Sequence, residues 1–383
     1  MAQGMNKLNE ALASLPEVRE LLLSLDAGTS PIAVSGLSGV HRAQLTAAVR
    51  HKTQRPLLIV CADENEANRM AGDLHELLGE DVSLLFAREW QLRDRVFASH
   101  GWEQQRIGSL CSLAAGKAPI LVATVDGLMQ RTLPPDALRG AVTDISLGDR
   151  FDLNALSKKL VESGYTRAET VEGVGQFALR GGILDVWSPL SAPVRVEFFD
   201  DEVDAMGEFD VTTQRRTQNV KSAAEVLPAL SDGGHEKMLE RLGRAAQKIA
   251  KKAEDSPIVQ TLRGDIERLR NDLPLGGMDR YLAACYPDEV CALDYLSPDT
   301  LIAVSDGMRV LERSKNYHWE LSEDVKPLIE EGILCGEFAA LALSQEALSH
   351  RMGAFPVLLL DALPTSRNLL PPRAILSMNA RSL

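Results

Sequence analysis

Cysteine is scarce in this chain of 383 residues. The five present, Cys61, Cys111, Cys285, Cys291 and Cys335, are odd in number and scattered, none forms CxxC, and Cys285 and Cys291 have no nearby histidine. That spacing excludes a disulfide framework and a cysteine-based metal centre, and it points to a reduced, cytoplasmic protein that holds no metal. Positive charge is also in short supply: 41 Lys+Arg stand against 54 Asp+Glu, a net charge of -13. The average field therefore repels nucleic acid, any DNA contact would need a local basic patch, and protein partners are expected instead. No apolar run reaches the length of a signal peptide core or a membrane span. Internal repeats and low-complexity segments are missing as well. The end of the chain, NLLPPRAILSMNARSL, lacks a charged or flexible tail, as a piece cut from a longer protein would.

The sequence does hold alternating apolar runs and helical patterns. PIAVSG, PLLIVCADE, VSLLFA and APILVATVDG read as strands apolar on both faces, with helices expected over 42–51, 65–78 and 103–115 between them. Such alternation predicts an α/β domain with a parallel sheet covered by helices. Beyond Pro134-Pro135 the texture changes. One helix over 153–163 precedes TRAETVE, QFALR, GGILDVW, VRVEFF, EVDAMGEFD and KSAAEVL, pieces with period-two alternation that predict a small, mostly antiparallel α+β domain inserted after the first. Past Pro228 helical periodicity returns, and TLIAVSD and FPVLLLDAL are expected to complete the first sheet. The resulting organisation is 1–141, 142–228 and 229–383, the first and last parts forming one sheet domain. Six basic residues between Lys237 and Lys252 lie opposite an apolar stripe and read as a solvated helix face with no DNA role.

The run VSGLSGVHRA carries the frame of a phosphate-binding loop without its chemistry. That loop needs Gly-Lys-Ser/Thr at its end, because bare amides cradle phosphates, the lysine bridges them and the hydroxyl holds magnesium. Starting from Gly36 and Gly39, the corresponding positions here are His41, Arg42 and Ala43. His41 puts a side chain where the backbone must approach phosphate, and Ala43 has no oxygen for a metal. On these residues alone an ordinary strand-to-helix turn containing two glycines is the better account.

The run from Val174 to Asp210, VGQFALRGGILDVWSPLSAPVRVEFFDDEVDAMGEFD, is far more specific. Its Gly175, Phe177, Arg180-Gly181, Ile183-Leu184-Asp185, Trp187, Pro189, Arg195, Glu197-Phe198-Phe199-Asp200-Asp201-Glu202 and Phe209-Asp210 resemble the small second domain shared by the repair helicase UvrB and the bacterial transcription-repair coupling factors. Ser188, inserted before the proline, departs from that pattern. The resemblance implies a degenerate, RecA-like helicase module in two chain segments around the inserted domain, with VSGLSGVHRA a relic of the UvrB nucleotide loop. A second relic agrees, since UvrB has an Asp-Glu pair where TLIAVSDGMR offers Ser305-Asp306-Gly307. The tyrosine-rich DNA clamp of UvrB has no room between Trp90 and Glu103, and no second motor follows. The resemblance is thus to the N-terminal, UvrB-like module of the coupling factors, without catalytic residues, cofactor or strong DNA binding. In those proteins the polymerase-binding region and the translocase lie in later parts of the chain.

Period-two geometry puts Val194, Val196 and Phe198 on one face of VRVEFF and Arg195, Glu197 and Phe199 on the other. The same parity turns Phe177 and Leu179 of QFALR inward and Arg180 outward. Phe199 either tucks under the next strand or stands exposed as an anchor, and Arg180 either pairs with a local carboxylate or stays free. The resemblance implies that Arg180, Arg195 and Phe199 dock UvrA, with Glu197 a further candidate. Residues 142–228 hold nine Lys/Arg against fifteen Asp/Glu, so binding would rest on local placement. The resemblance also implies that a C-terminal domain of the longer protein covers this surface. Two other readings are a nucleotide-dependent helicase subunit that tolerates Arg42 and a mainly autoinhibitory structural module.

Overall fold

A computed structural model describes residues 2–93, 100–162, 165–188, 190–226, 232–271, 275, 277–365 and 367–378. Pro189 and the expected boundary at Pro228 lie outside the described residues, as does part of the link from Trp90 to Glu103. The described residues group into two compact units, one from 1–95, 116–133 and 239–383, the other from 96–115 and 134–238.

The first unit is built on a seven-stranded sheet in which every pairing is parallel. Its order across the sheet is Ala374–Ser377, Ile32–Ser35, Val357–Leu360, Leu301–Ser305, Leu57–Cys61, Ile120–Thr124 and Ser83–Leu85. The five strands Ile32–Ser35, Val357–Leu360, Leu301–Ser305, Leu57–Cys61 and Ile120–Thr124 are buried at every position. Both faces of a parallel sheet are covered, so continuous apolar runs are what such strands require. TLIAVSD and FPVLLLDAL do complete the sheet. Two of the expected helices, Gly39–Thr53 and Glu64–Leu78, belong to this unit, whereas the third, His100–Ala114, groups with the second unit. Asp63 caps Glu64–Leu78 by accepting the Glu66 N–H at 2.9 Å, and that bond holds its pKa below the usual carboxylate range. Helix Gly307–Glu330 and edge strand Ala374–Ser377 were not legible in the apolar pattern. The edge strand alternates half-buried and exposed residues, with Ile375 turned to solvent.

The second unit carries a six-stranded sheet that is antiparallel apart from one short pairing at Thr166–Arg167. Gln176–Arg180, Ile183–Val186, Val194–Phe199 and Glu202–Asp210 follow one another as a meander. Phe177, Leu184, Val186, Val194, Val196, Val203 and Met206 form its core face, with Phe198 packed against them and edge-on to Phe151 at 6.5 Å. The expected strand register therefore holds. Two corrections concern the flanks. KSAAEVL is a strand, Ser222–Val226, but it pairs with Val142–Ser146 in a separate two-stranded ladder. Arg215–Asn219, five exposed polar residues, joins the six-stranded sheet although it has no apolar face to announce it.

The basic face of helix Asp232–Ala250 and the turn after it is solvated as expected, with Lys237, Arg244, Lys248, Lys251 and Lys252 exposed and Arg241 half-buried. Arg241 donates to the Ala284 carbonyl at 2.7 Å, while Lys248 pairs with Glu337 at 3.0 Å. Among the described residues no helix is long and apolar enough to cross a membrane.

Candidate functional site

The first candidate lies at the carboxyl ends of the parallel strands, where open α/β sheets bind ligands. Ile32–Ser35 delivers Gly36 at φ +90°, a conformation glycine adopts without penalty. A Cβ there would sit 1.8 Å from the Met378 carbonyl oxygen, so glycine at this position is required by the chain passing over it, whatever its ancestry. The next amides face inward. Gly36 N–H donates to the Ala362 carbonyl and Leu37 N–H to the Asp361 carbonyl, at 3.2 and 3.1 Å. A phosphate cradle needs such amides unclaimed. Gly39 opens helix Gly39–Thr53, and His41 Nδ1 lies 2.9 Å from Ser38 Oγ.

Arg42, at the position of the bridging lysine, is only 6% exposed and points into the protein. It lies 3.3 Å from Glu66, donates to Ser305 Oγ at 3.1 Å and stands 3.7 Å from Asp306. Ser305 donates to the same Glu66 oxygen at 2.6 Å, and Arg309 reaches the other oxygen at 3.3 Å and Asp63 at 2.5 Å. Asp361 accepts the Gly307 N–H at 2.9 Å, while burial raises its pKa. Ala43 is fully buried. The open space beside this loop is a mainly apolar groove of about 250 Å³ along Leu12, Leu15, Val18, Leu37 and Leu45, with Glu17, His41 and Gln44 its polar lining and no lysine or arginine among the described residues that line it. The Nη groups of Arg42 are thus met by Glu66, Ser305 and Asp306 and not by this groove.

The second candidate is the outward face of the six-stranded sheet. A two-residue turn, with Gly181 at φ +62°, sets Arg180 opposite Ile183, and Asp185 lies opposite Arg195 on the next pairing. Gly182 is needed too, since a Cβ there would come within 2.9 Å of the Phe198 carbonyl oxygen. Asp185 is completely buried and grips both arginines. Arg195 Nε and Nη2 donate to its two oxygens at 2.6 and 2.9 Å, and Arg180 Nη2 donates to Oδ2 at 2.6 Å. The carboxylate holds the pKa of Arg195 above its ordinary value. Arg195 also donates to the Gln214 carbonyl at 3.2 Å and lies over the Phe209 ring, 5.1 Å from its centroid. Its side chain is 19% exposed, against 50% for Arg180. Of the two alternatives for Arg180, pairing with a local carboxylate is the observed one, and Arg195 neutralises the same buried carboxylate, which cannot lose its partners cheaply.

Phe199 is 79% exposed at the end of its strand, before the tight turn at Asp200 with φ +59°. Of the two alternatives read from sequence, the exposed ring is the observed one. Ile183, paired with Glu197, is the exposed apolar residue diagonal to it. Glu197 is occupied by Arg216 at 2.5 Å. The structure therefore brings Arg180, Arg195, Glu197 and Phe199 onto one face, but with unequal freedom. Sequence reasoning did not assign roles to Asp185, Ile183 or Arg216. Asp185 stands within an apolar run, but only the strand pairing places it opposite Arg195.

Comparison with known proteins agrees with this geometry. Residues 143–231 match the family described as the UvrB interaction domain. The chain is 30% identical over 356 residues to a transcription-repair-coupling factor of Myxococcus xanthus, a match that covers 89% of this chain and 29% of the relative. The corresponding Bacillus subtilis protein is 27% identical over 86% of this chain and 29% of its own length. The chain spans less than a third of the length of these relatives. With an α/β unit on a parallel sheet and a UvrB interaction domain in one polypeptide, this chain belongs to the transcription-repair-coupling factor family as an N-terminal, UvrB-like module.

Proposed function

We propose that the outward face of the six-stranded sheet docks UvrA, so that the module recruits it as UvrB would during transcription-coupled excision repair. The observation that carries this reading is Phe199, 79% exposed on the same sheet face as the half-exposed Arg180, a face whose other part packs Ala178 and Phe209 on Val171. A large ring with a flanking arginine is the composition of an interface anchor, in which the ring fills a pocket and the guanidinium pairs with a carboxylate. Arg195 and Glu197 belong to the same face. The module, read as segments 1–141, 142–228 and 229–383, works in the cytoplasm by binding and not by nucleotide turnover, since Arg42 is buried against Glu66 and Ala43 offers no ligand for magnesium. It has no strong affinity for DNA. In the longer protein the same face is masked by a C-terminal domain, and the polymerase is engaged by other regions.

Calorimetric titration of the 383-residue chain with UvrA from the same organism tests this. Saturable binding that weakens with Phe199→Ala is expected. No heat and no co-elution at micromolar concentrations would overturn the reading.

A further inference from the structure

The two arginines of the docking face are not equivalent. Arg195 spends Nε, Nη1 and Nη2 on its own chain, two of them on Asp185 and one on the Gln214 carbonyl, and its guanidinium lies over Phe209. Arg180 contributes Nη2 to the same carboxylate and leaves half its side chain in solvent. We propose that Asp185 and Arg195 are a positioning pair, and that Arg180 is the arginine that meets the acidic group of the partner. This rests on the docking reading above.

The charge arrangement explains why one carboxylate needs two arginines. A single Asp-Arg pair would be neutral and would offer an incoming carboxylate little. Two guanidiniums on one buried carboxylate leave one net positive charge, and its solvent-facing edge belongs to Arg180. Asp185 is fixed by its strand position opposite Arg195 and cannot relax outward. Its hold on Nη2 limits the rotamers of Arg180 before any partner arrives, so less freedom is lost on binding. Arg195 makes this possible by supplying the bidentate share of the pairing, which a lysine cannot reproduce.

A double-mutant cycle against UvrA separates positioning from direct contact. Arg180→Ala is expected to weaken binding about thirtyfold, the size of a hot-spot truncation. Asp185→Asn and Arg195→Lys should each weaken it about fivefold to tenfold while Arg180 is present, and less than about twofold in the Arg180→Ala background. Equal losses in both backgrounds would overturn the proposal, because Arg195 would then touch the partner itself or the pair would merely maintain the fold. Should Asp185→Asn fail to fold, Arg195→Lys keeps the carboxylate paired and carries the cycle alone.

A measurement without partner keeps the two ideas apart. The Nε–Hε NMR signal of Arg180 should report an ordered side chain in the parent and rapid averaging in Asp185→Asn or Arg195→Lys. An unchanged signal in both variants would sink the positioning role. If Phe199→Ala and Arg180→Ala bind UvrA as the parent does while this signal still changes, the docking reading fails and the positioning pair does not.

Discussion

The relic loop and the docking face use the same chemistry, arginine against a buried carboxylate, and finish with opposite properties. Around Arg42 the pairing is closed: the guanidinium is buried, Glu66 is shared with Ser305 and Arg309, and the Gly36 and Leu37 amides are bonded to the chain. Around Asp185 it is open on one side, since Arg180 stays half in solvent and Phe199 on the same face is uncovered. Residue type does not separate the two regions here. What separates them is exposure: the Arg42 guanidinium is buried, whereas Arg180 is half exposed and Phe199 is uncovered.

Breaking the closed network should have the largest effect. Arg42→Ala leaves Glu66 with fewer partners in a buried setting and is expected to cost about 4 kcal/mol of stability, in the range for removing one member of a buried ion pair; chemical denaturation of parent and variant measures it. A cost below about 1 kcal/mol would place Arg42 with ordinary surface pairs. Next comes Phe198→Ala, which removes a ring packed on the core and on Phe151. It should cost about 3 kcal/mol, at the lower end for Phe→Ala because the ring is only partly buried. Phe199→Ala should leave the melting temperature within a degree or two while weakening UvrA binding by about 2 kcal/mol, roughly thirtyfold. If those two phenylalanines exchange phenotypes, the strand register is shifted by one residue. The smallest effect is expected from nucleotide. Magnesium-ATP at millimolar concentration should neither shift the melting temperature nor be hydrolysed above a protein-free blank. Saturable binding with turnover would return the closed site to the class of enzymes.

Much of this comparison was legible in the sequence because burial leaves a pattern. Strands buried on both faces read as unbroken apolar runs, and in VRVEFF the alternation alone separated Phe198 from Phe199. Where burial is partial or paired in space the pattern fades. Edge strand Ala374–Ser377 is half exposed, and Arg215–Asn219 joins its sheet through backbone bonds with no apolar residue at all. The substitutions in VSGLSGVHRA lead to the expectation that nucleotide chemistry is absent, but do not say that Arg42 turns inward. Its partners Glu66 and Ser305 are 24 and 263 positions away in sequence. Arg195 was legible only in part. Parity gave the correct face, yet parity cannot say that the neighbouring strand offers a buried carboxylate to that face.

The strand order of the first unit also bears on how the chain is made. Ile32–Ser35 lies between Val357–Leu360 and Ala374–Ser377, and both neighbours emerge from the ribosome some three hundred residues later. Through that interval a fully apolar strand has neither of its hydrogen-bonding edges occupied, which is the condition that invites mispairing with another chain. The meander of the second unit pairs strands nearly adjacent in sequence, and it can close as soon as it is synthesised. The docking sheet is thus ready early, whereas the sheet that holds the relic loop must wait for its closing strands, and a nascent chain halted between them would present a finished binding face on an unfinished support.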